Sequence, residues 1–308
     1  MSKLQFVLGL SISLFGCLDG AAPTNSDENI LGGSPDYADP SVVQLRFSVL
    51  VGANIGTSQC TATVIAPKLL LTAAHCANGW AYEYNPAQNA DPFGPSPGWI
   101  SAGYAMANPL YDGDTTHGHD VAVVVLGSPT WIAPSGLGTV PSVGQTVRAV
   151  GYGLTQPATH GPSGVKEQKS FAVSSVAARE WVAGPNETCH GDSGGPVFDA
   201  SGAIVGTTSY GDTADCNGND HFMRIDDNRA WIDQQIAFQS GTIPGGGSGS
   251  GSGGGSTSSC DTSQSTNGSS VEVACTNGSC ECYQDGTLVS TCTESSAGCS
   301  IPGSCCGF

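Results

Sequence analysis

Between Ile30 and about Ser240 the chain repeats one pattern, a short apolar, β-branched run followed by Gly, Pro or Asn. Val42 to Val51, Thr61 to Ile65, Lys68 to Thr72, Val121 to Leu126, Thr146 to Val150 and Ile204 to Thr208 are all of strand length. Strands at that spacing, with turn residues between them, read as an all-β sandwich or barrel. One stretch departs from the pattern. Asp226 to Ile236 opens on Asp and Asn and sets Trp231, Ile232 and Ile236 on one face, which predicts a closing helix. Further on, residues 245 to 259 are Gly and Ser except for Thr257, a composition that behaves as a flexible tether with a reach of roughly 20 Å. Residues 260–308 then carry eight cysteines: Cys260, Cys275, Cys280, Cys282, Cys292, Cys299, Cys305 and Cys306. So small a segment, with so few large apolar side chains, needs cross-links. Four disulfides are the natural count, and the sequence does not choose among the ~105 pairings. Zinc is the alternative, disfavoured because the segment has no His and no repeated Cys-x-x-Cys.

Thirteen cysteines in all are too many for a reducing cytosol, and the number is odd. The N-terminus supplies a reason. Met1-Ser2-Lys3 precedes an apolar run from Leu4 to Phe15, which has the size of a signal-peptide core and is too short for a ~20-residue span. It ends Leu14-Phe15-Gly16-Cys17 and resembles a bacterial lipoprotein signal, which implies a lipid on Cys17 and a membrane tether. The alternative is a plain secretory signal that carries a cysteine by chance. Setting Cys17 aside leaves twelve. Residues 18–29 are small and polar, with nothing to build a core, and become a pro-segment only through the family resemblance at Ile30. The expected organisation is therefore 1–17 signal, 18–29 pro-segment, 30–240 main domain, 241–259 linker and 260–308 Cys-rich module. Nine Lys and Arg against 26 Asp and Glu give a formal charge of -17, which argues against nucleic acid as a partner, because phosphate binding needs clustered basic side chains.

Three local motifs carry chemistry. Leu71-Thr72-Ala73-Ala74-His75-Cys76 ends an apolar run, Asp120 leads Val121-Ala122-Val123-Val124-Val125-Leu126, and Ser193 sits in Cys189-His190-Gly191-Asp192-Ser193-Gly194-Gly195-Pro196. A serine hydroxyl is a poor nucleophile until a histidine accepts its proton, and that histidine needs a carboxylate to fix its tautomer and stabilise its charged form. Glycines beside the serine allow a tight turn in which backbone N–H groups face a developing oxyanion. Each motif alone is an ordinary turn or strand end. Together, in the order His, Asp, Ser, they resemble the trypsin-like (chymotrypsin-fold) serine proteases over about Ile30 to Phe238.

That resemblance implies two antiparallel β-barrels and a C-terminal helix, and its departures, a short 73-residue spacing from Asp120 to Ser193 among them, are consistent with a compact bacterial relative. It implies His75 as general base, Asp120 as its orienting acid, Ser193 as nucleophile, and the N–H groups of Gly191 and Ser193 as oxyanion hole. It implies disulfides Cys60–Cys76 and Cys189–Cys216. Gly151-Tyr152-Gly153 stands where the family has Gly-Trp-Gly, and Ser209-Tyr210-Gly211 resembles its substrate-pairing strand. Ile30-Leu31-Gly32-Gly33 resembles the mature N-terminus, which implies a zymogen cut at Asn29–Ile30 by a separate activating protease, with the new amino group pairing with Asp192. The protein is thus expected to be secreted or a cell-surface or outer-membrane lipoprotein, and the cut would sever its tether at Cys17 and release it on activation. Glu187, six residues before the nucleophile, and Thr188 fall at the base of the primary pocket, with Asp220 on its wall, which implies a preference for Arg or Lys in protein or peptide substrates. No cofactor is expected. Asp112, Asp114, His117 and His119 read as a polar turn more readily than as a metal site. Two function classes follow, a serine endopeptidase and a catalytically silent binding or adhesion protein of the same fold. The tail's partner is left open.

Overall fold

The computed structural model describes residues 30, 32–94, 98–155 and 163–240, and the backbone of four strands between 259 and 293. The signal run, Cys17, the pro-segment, the linker and the side chains of the Cys-rich module lie outside the described residues. A two-residue strand, β1 (Ser34–Pro35), comes first. Seven strands then form one antiparallel sheet: β2 (Val42–Val51), β3 (Asn54–Ala66), β4 (Leu69–Thr72), β5 (Trp80–Asn85), β6 (Ile100–Ser101), β7 (Tyr104–Ala107) and β8 (Ala122–Val125). Their order is β6-β5-β2-β3-β4-β8-β7. The second sheet takes β9 (Thr146–Gly151), β10 (Glu167–Ala172), β11 (Ser175–Val176), β12 (Glu180–Ala183), β13 (Pro196–Phe198), β14 (Ile204–Gly211) and β15 (Asp220–Arg224). It runs β1-β10-β9-β13-β14-β15-β12-β11, so the N-terminal strand joins the C-terminal sheet. Both sheets curl into half-barrels, as expected.

The continuous apolar runs have a simple cause. A strand alternates its side chains between two faces, and here both faces are dry. In β4 and β8, Leu70 and Val124 enter the core of the first sheet with Val43, Leu45, Phe47 and Val64. Their neighbours Leu69, Leu71, Val123 and Val125 point the other way, into a layer shared with Val150, Tyr152, Phe198 and Ile204 of the second sheet. A third core, built on Val147, Val197, Val205, Trp181 and Phe222, fills the second sheet. The helix α1 (Arg229–Ser240) begins after Asn228, whose carbonyl accepts from Ile232 N. Ile232 is fully buried against the shared layer, with Trp231 and Ile236 half-buried beside it. Among the described residues no helix is long and apolar enough to cross a membrane.

Four further strands, β16 (Ser259–Thr266), β17 (Ser269–Thr276), β18 (Ser279–Gln284) and β19 (Thr287–Thr293), form a separate antiparallel meander in sequence order. Their register sets Cys260 opposite Cys275, Cys275 opposite Cys280, and Cys280 opposite Cys292.

Gly206 on β14 illustrates how tightly the second core is filled. A Cβ there would sit 2.7 Å from the Trp181 ring, and that ring is itself stacked on Phe222 with centroids 4.3 Å apart. Gly206→Ala is expected to cost about 1–3 kcal/mol through overpacking, measured as a lowered denaturation midpoint; an unchanged midpoint would contradict this packing.

Candidate active site

Antiparallel pairing brings the first two motif residues together. Thr72, the last residue of β4, lies opposite Ala122, the first of β8. The chain leaving β4 and the chain entering β8 therefore meet at one edge. His75 sits there in a short 3-10 turn, Ala74–Ala77, tied down by the Cys60–Cys76 disulfide. Asp120 follows His119, which has a left-handed φ of 58°, and its side chain is wholly buried.

That buried carboxylate accepts three hydrogen bonds. His75 Nδ1 lies 2.7 Å from Oδ2, and the His75 backbone N–H donates to Oδ1 at 2.8 Å. The third donor is Ser209 Oγ, 2.5 Å from Oδ2, and it comes from the other sheet. Ser209 is the odd residue of a β-bulge, since Thr208 pairs with Phe222 while Tyr210 pairs with His221. The extra residue turns a side chain out of the alternation toward Asp120. The imidazole itself is about 29% exposed, so one end is fixed and the other faces solvent.

Ser193 lies in the loop between β12 and β13, which the Cys189–Cys216 disulfide ties to the loop between β14 and β15. Two glycines in this loop are left-handed, Gly191 at φ 97° and Gly194 at φ 81°. A side chain at Gly194 would also collide with Thr72, Thr61 and Ala73. This close approach pins the serine loop to the first sheet. Thr61 N donates to Ser193 O at 2.8 Å, and Thr61 Oγ1 donates to Gly191 O at 2.8 Å. On the other side Gly194 N donates to Thr208 O at 2.8 Å.

Asp192 is buried beneath this loop. Its oxygens accept from Gly153 N at 2.8 Å and Cys189 N at 2.9 Å. Burial pushes its carboxyl up to about 7, the two amides opposing that shift and the charge of Asp220 adding to it. The Gly-Tyr-Gly sequence now has a reason, because a Cβ on Gly151 or Gly153 would run into the Asp192 carboxylate. Among the described residues no ion pair reaches Asp192. Ile30 is buried, with its carbonyl accepting from Gly33 N at 2.5 Å.

A cavity of about 430 Å³ opens at the seam between the sheets, with His75 and Ser193 on its wall. Thr188, Ser209, Tyr210, Gly211 and Asp220 line it too. Asp220 is buried, accepts from Thr188 Oγ1 at 2.8 Å and from the amides of Glu187 and Thr188, and burial raises its carboxyl above the usual range. Glu187 departs from expectation, since its side chain is not part of the cavity wall. Lys169 on β10 holds it away, Nζ to Oε2 at 2.8 Å. Of the two acids expected at the pocket, Asp220 lines the cavity and Glu187 does not.

Asp112, Asp114 and His117 form a polar turn, with Asp112 accepting from Asp114 N and His117 Nδ1 2.8 Å from Asp112. His119 instead turns inward to Asn228 at 3.1 Å. The metal-like groupings among the described residues are His75 with Cys60 and Cys76, and His190 with Cys189 and Cys216, whose sulfurs are already spent in disulfides. The sequence reading missed Thr61, Thr208 and the residues behind Tyr210. No local signal marks them, because only the register of distant strands brings them to the site.

The arrangement can accept a proton from a serine hydroxyl, on a histidine whose far nitrogen is fixed by a carboxylate. The Trypsin family model matches residues 30–232, well over half the chain. The chain is 25% identical to Trypsin-4 of Rattus norvegicus over 254 residues, covering 74% of this chain and 99% of that protein. It is 24% identical to Trypsin of Sus scrofa, covering 70% and 99%, and 30% identical to Brachyurin of Leptuca pugilator, covering 57% and 87%. Among solved structures, "Structure of GrC" shares the fold with a TM-score of 0.57 at 22% identity, covering 67% of this chain and 98% of that one. The chain belongs to the trypsin family.

Proposed function

We propose that the chain is a serine endopeptidase that works through an acyl-enzyme, with His75 as general base, Asp120 as its orienting acid and Ser193 as nucleophile. The observation that carries this is the buried Asp120 carboxylate, which holds His75 Nδ1 at the edge of a cavity that Ser193 also lines. With Nδ1–H donated to Asp120, Nε2 is left to take the Ser193 proton as Oγ bonds to the substrate carbonyl carbon. The N–H groups of Gly191 and Ser193 receive the oxyanion. His75 then passes its proton to the leaving amine as the C–N bond breaks. Water repeats the sequence on the acyl-enzyme, releasing the acid and restoring Ser193. No cofactor is needed. The alternative, a catalytically silent binding protein, gives no reason for a buried carboxylate that fixes a histidine and is itself held by a serine of the other sheet.

A preference for Arg or Lys before the scissile bond is assigned to Asp220, whose buried carboxylate would meet a cation in the pocket. Activation is assigned to a cut at Asn29–Ile30. The freed α-amino group of Ile30 would supply the cation that Asp192 lacks and lock the serine loop. The same cut would release the enzyme from a lipid on Cys17.

Three outcomes follow. Ser193→Ala should lower kcat for peptide hydrolysis by on the order of 10⁴-fold or more, and a retained rate would exclude the serine mechanism. Asp220→Asn should reduce kcat/KM for Arg and Lys peptides about 30- to 1000-fold while apolar peptides change less; equal losses on both would reject the pocket assignment. For Asp192 the folded pKa is raised, so the folded precursor holds a proton that the unfolded chain has lost. The precursor's stability therefore falls as pH rises from about 4 to about 7, by on the order of 4 kcal/mol. Denaturation across that range should reveal a steeper fall in the intact precursor than after cleavage at Ile30, the difference being the Asp192 contribution. The same profile in both forms would contradict the pairing.

A further inference from the structure

Behind the cavity wall lies a group of side chains that the proposed chemistry does not use. Asp220 and His221 are consecutive on β15 and face opposite ways. Asp220 enters the cavity, and His221 lies under Tyr210, rings stacked at 4.1 Å and 12°. Tyr210 and Asp212 both line the cavity. The His221 ring bridges two carboxylates on separate segments. Nδ1 is 3.2 Å from Glu180 Oε1 of β12, close but not aligned as a hydrogen bond, and Nε2 is 3.1 Å from Asp212 Oδ1, just past β14. Tyr210 Oη donates to the second oxygen of Glu180 at 3.1 Å. Asp212 is held in turn by Asn219, whose carbonyl and amide bond to it at 2.9 Å.

A neutral imidazole carries one N–H and can serve only one of these carboxylates. The imidazolium carries two, bonds Asp212 while facing Glu180 with its second N–H as an ion pair, and places a cation against the Tyr210 ring. The geometry points to His221 as a positioning residue: in its charged form it clamps the Tyr210–Asp212 rim of the cleft, so that the binding of extended peptides weakens as it deprotonates. This rests on the proposed peptidase reading and deepens it.

The groups facing the ring are Glu180 from β12 and Tyr210 and Asp212 from the end of β14, while Asp114 adds its charge at the Tyr210 hydroxyl. Burial alone would lower the pKa of His221, but the two carboxylates outweigh it and leave it raised. The sign follows. The clamp is complete at low pH and is lost as pH rises through the raised pKa of His221.

The test measures KM and kcat for a four-residue peptide amide and for a single-residue ester from pH 6 to 9, in the wild type, His221→Gln and His221→Lys. The expected result is a KM for the longer substrate that rises about threefold to fivefold with pH in the wild type. It should be high at every pH in His221→Gln and low without that rise in His221→Lys, whereas kcat and the ester's KM should follow one profile in all three. A parallel NMR titration should find the Tyr210 ring resonances moving with the same pKa as His221. Identical KM profiles in wild type and His221→Gln, or Tyr210 resonances indifferent to the His221 titration, would overturn the inference. Failure of the peptidase reading looks different, because neither substrate would then be hydrolysed while the NMR coupling persisted.

Discussion

The Asp120 carboxylate is the point on which both halves of the molecule converge. It is wholly buried, and a buried carboxylate is tolerated only when its oxygens are satisfied. Its donors come from two different sheets, His75 from the turn after β4 and Ser209 from the bulge in β14. Neither sheet alone completes the site. The requirement links the register of β4 against β8 to the bulge in β14, across the apolar layer that the two half-barrels share.

Thr61 performs a similar service for Ser193. It belongs to β3 of the first sheet, yet its amide and hydroxyl hold the carbonyls of Ser193 and Gly191 in a loop of the second. Gly194 allows the approach, since any side chain there would meet the Thr61 carbonyl and the Thr72 hydroxyl. The serine is thus carried by one sheet and positioned by the other. Membership of the trypsin family supplies the general activity class, and these contacts supply the reason why this chain's own residues can hold such a site.

Much of this was legible in the amino-acid order. The apolar runs that end in His75 or begin after Asp120 marked strands buried on both faces, because alternate residues serve different cores. The glycines around Ser193 marked a turn that only glycine tolerates. The two disulfides of the main domain join the cysteines that the family resemblance paired. The pocket was less legible. Glu187 and Asp220 are both acids at suitable positions, and what separates them is Lys169, which β10 places within 2.8 Å of Glu187. Such a contact depends on how separate strands are placed, and the Ser209 bulge and the Tyr210–His221 stack depend on the exact register of β14 against β15. Local pattern carries side-chain alternation well and cross-strand register poorly.

The central claim is that Asp120-held His75 activates Ser193 as a nucleophile. The most direct measurement is the rate of covalent labelling by an organophosphate probe on the Ile30-started enzyme, with the modified residue located by mass spectrometry. The account predicts one label per chain, on Ser193, and a rate that collapses in His75→Ala. A label on another residue, or equal labelling with and without His75, would contradict it.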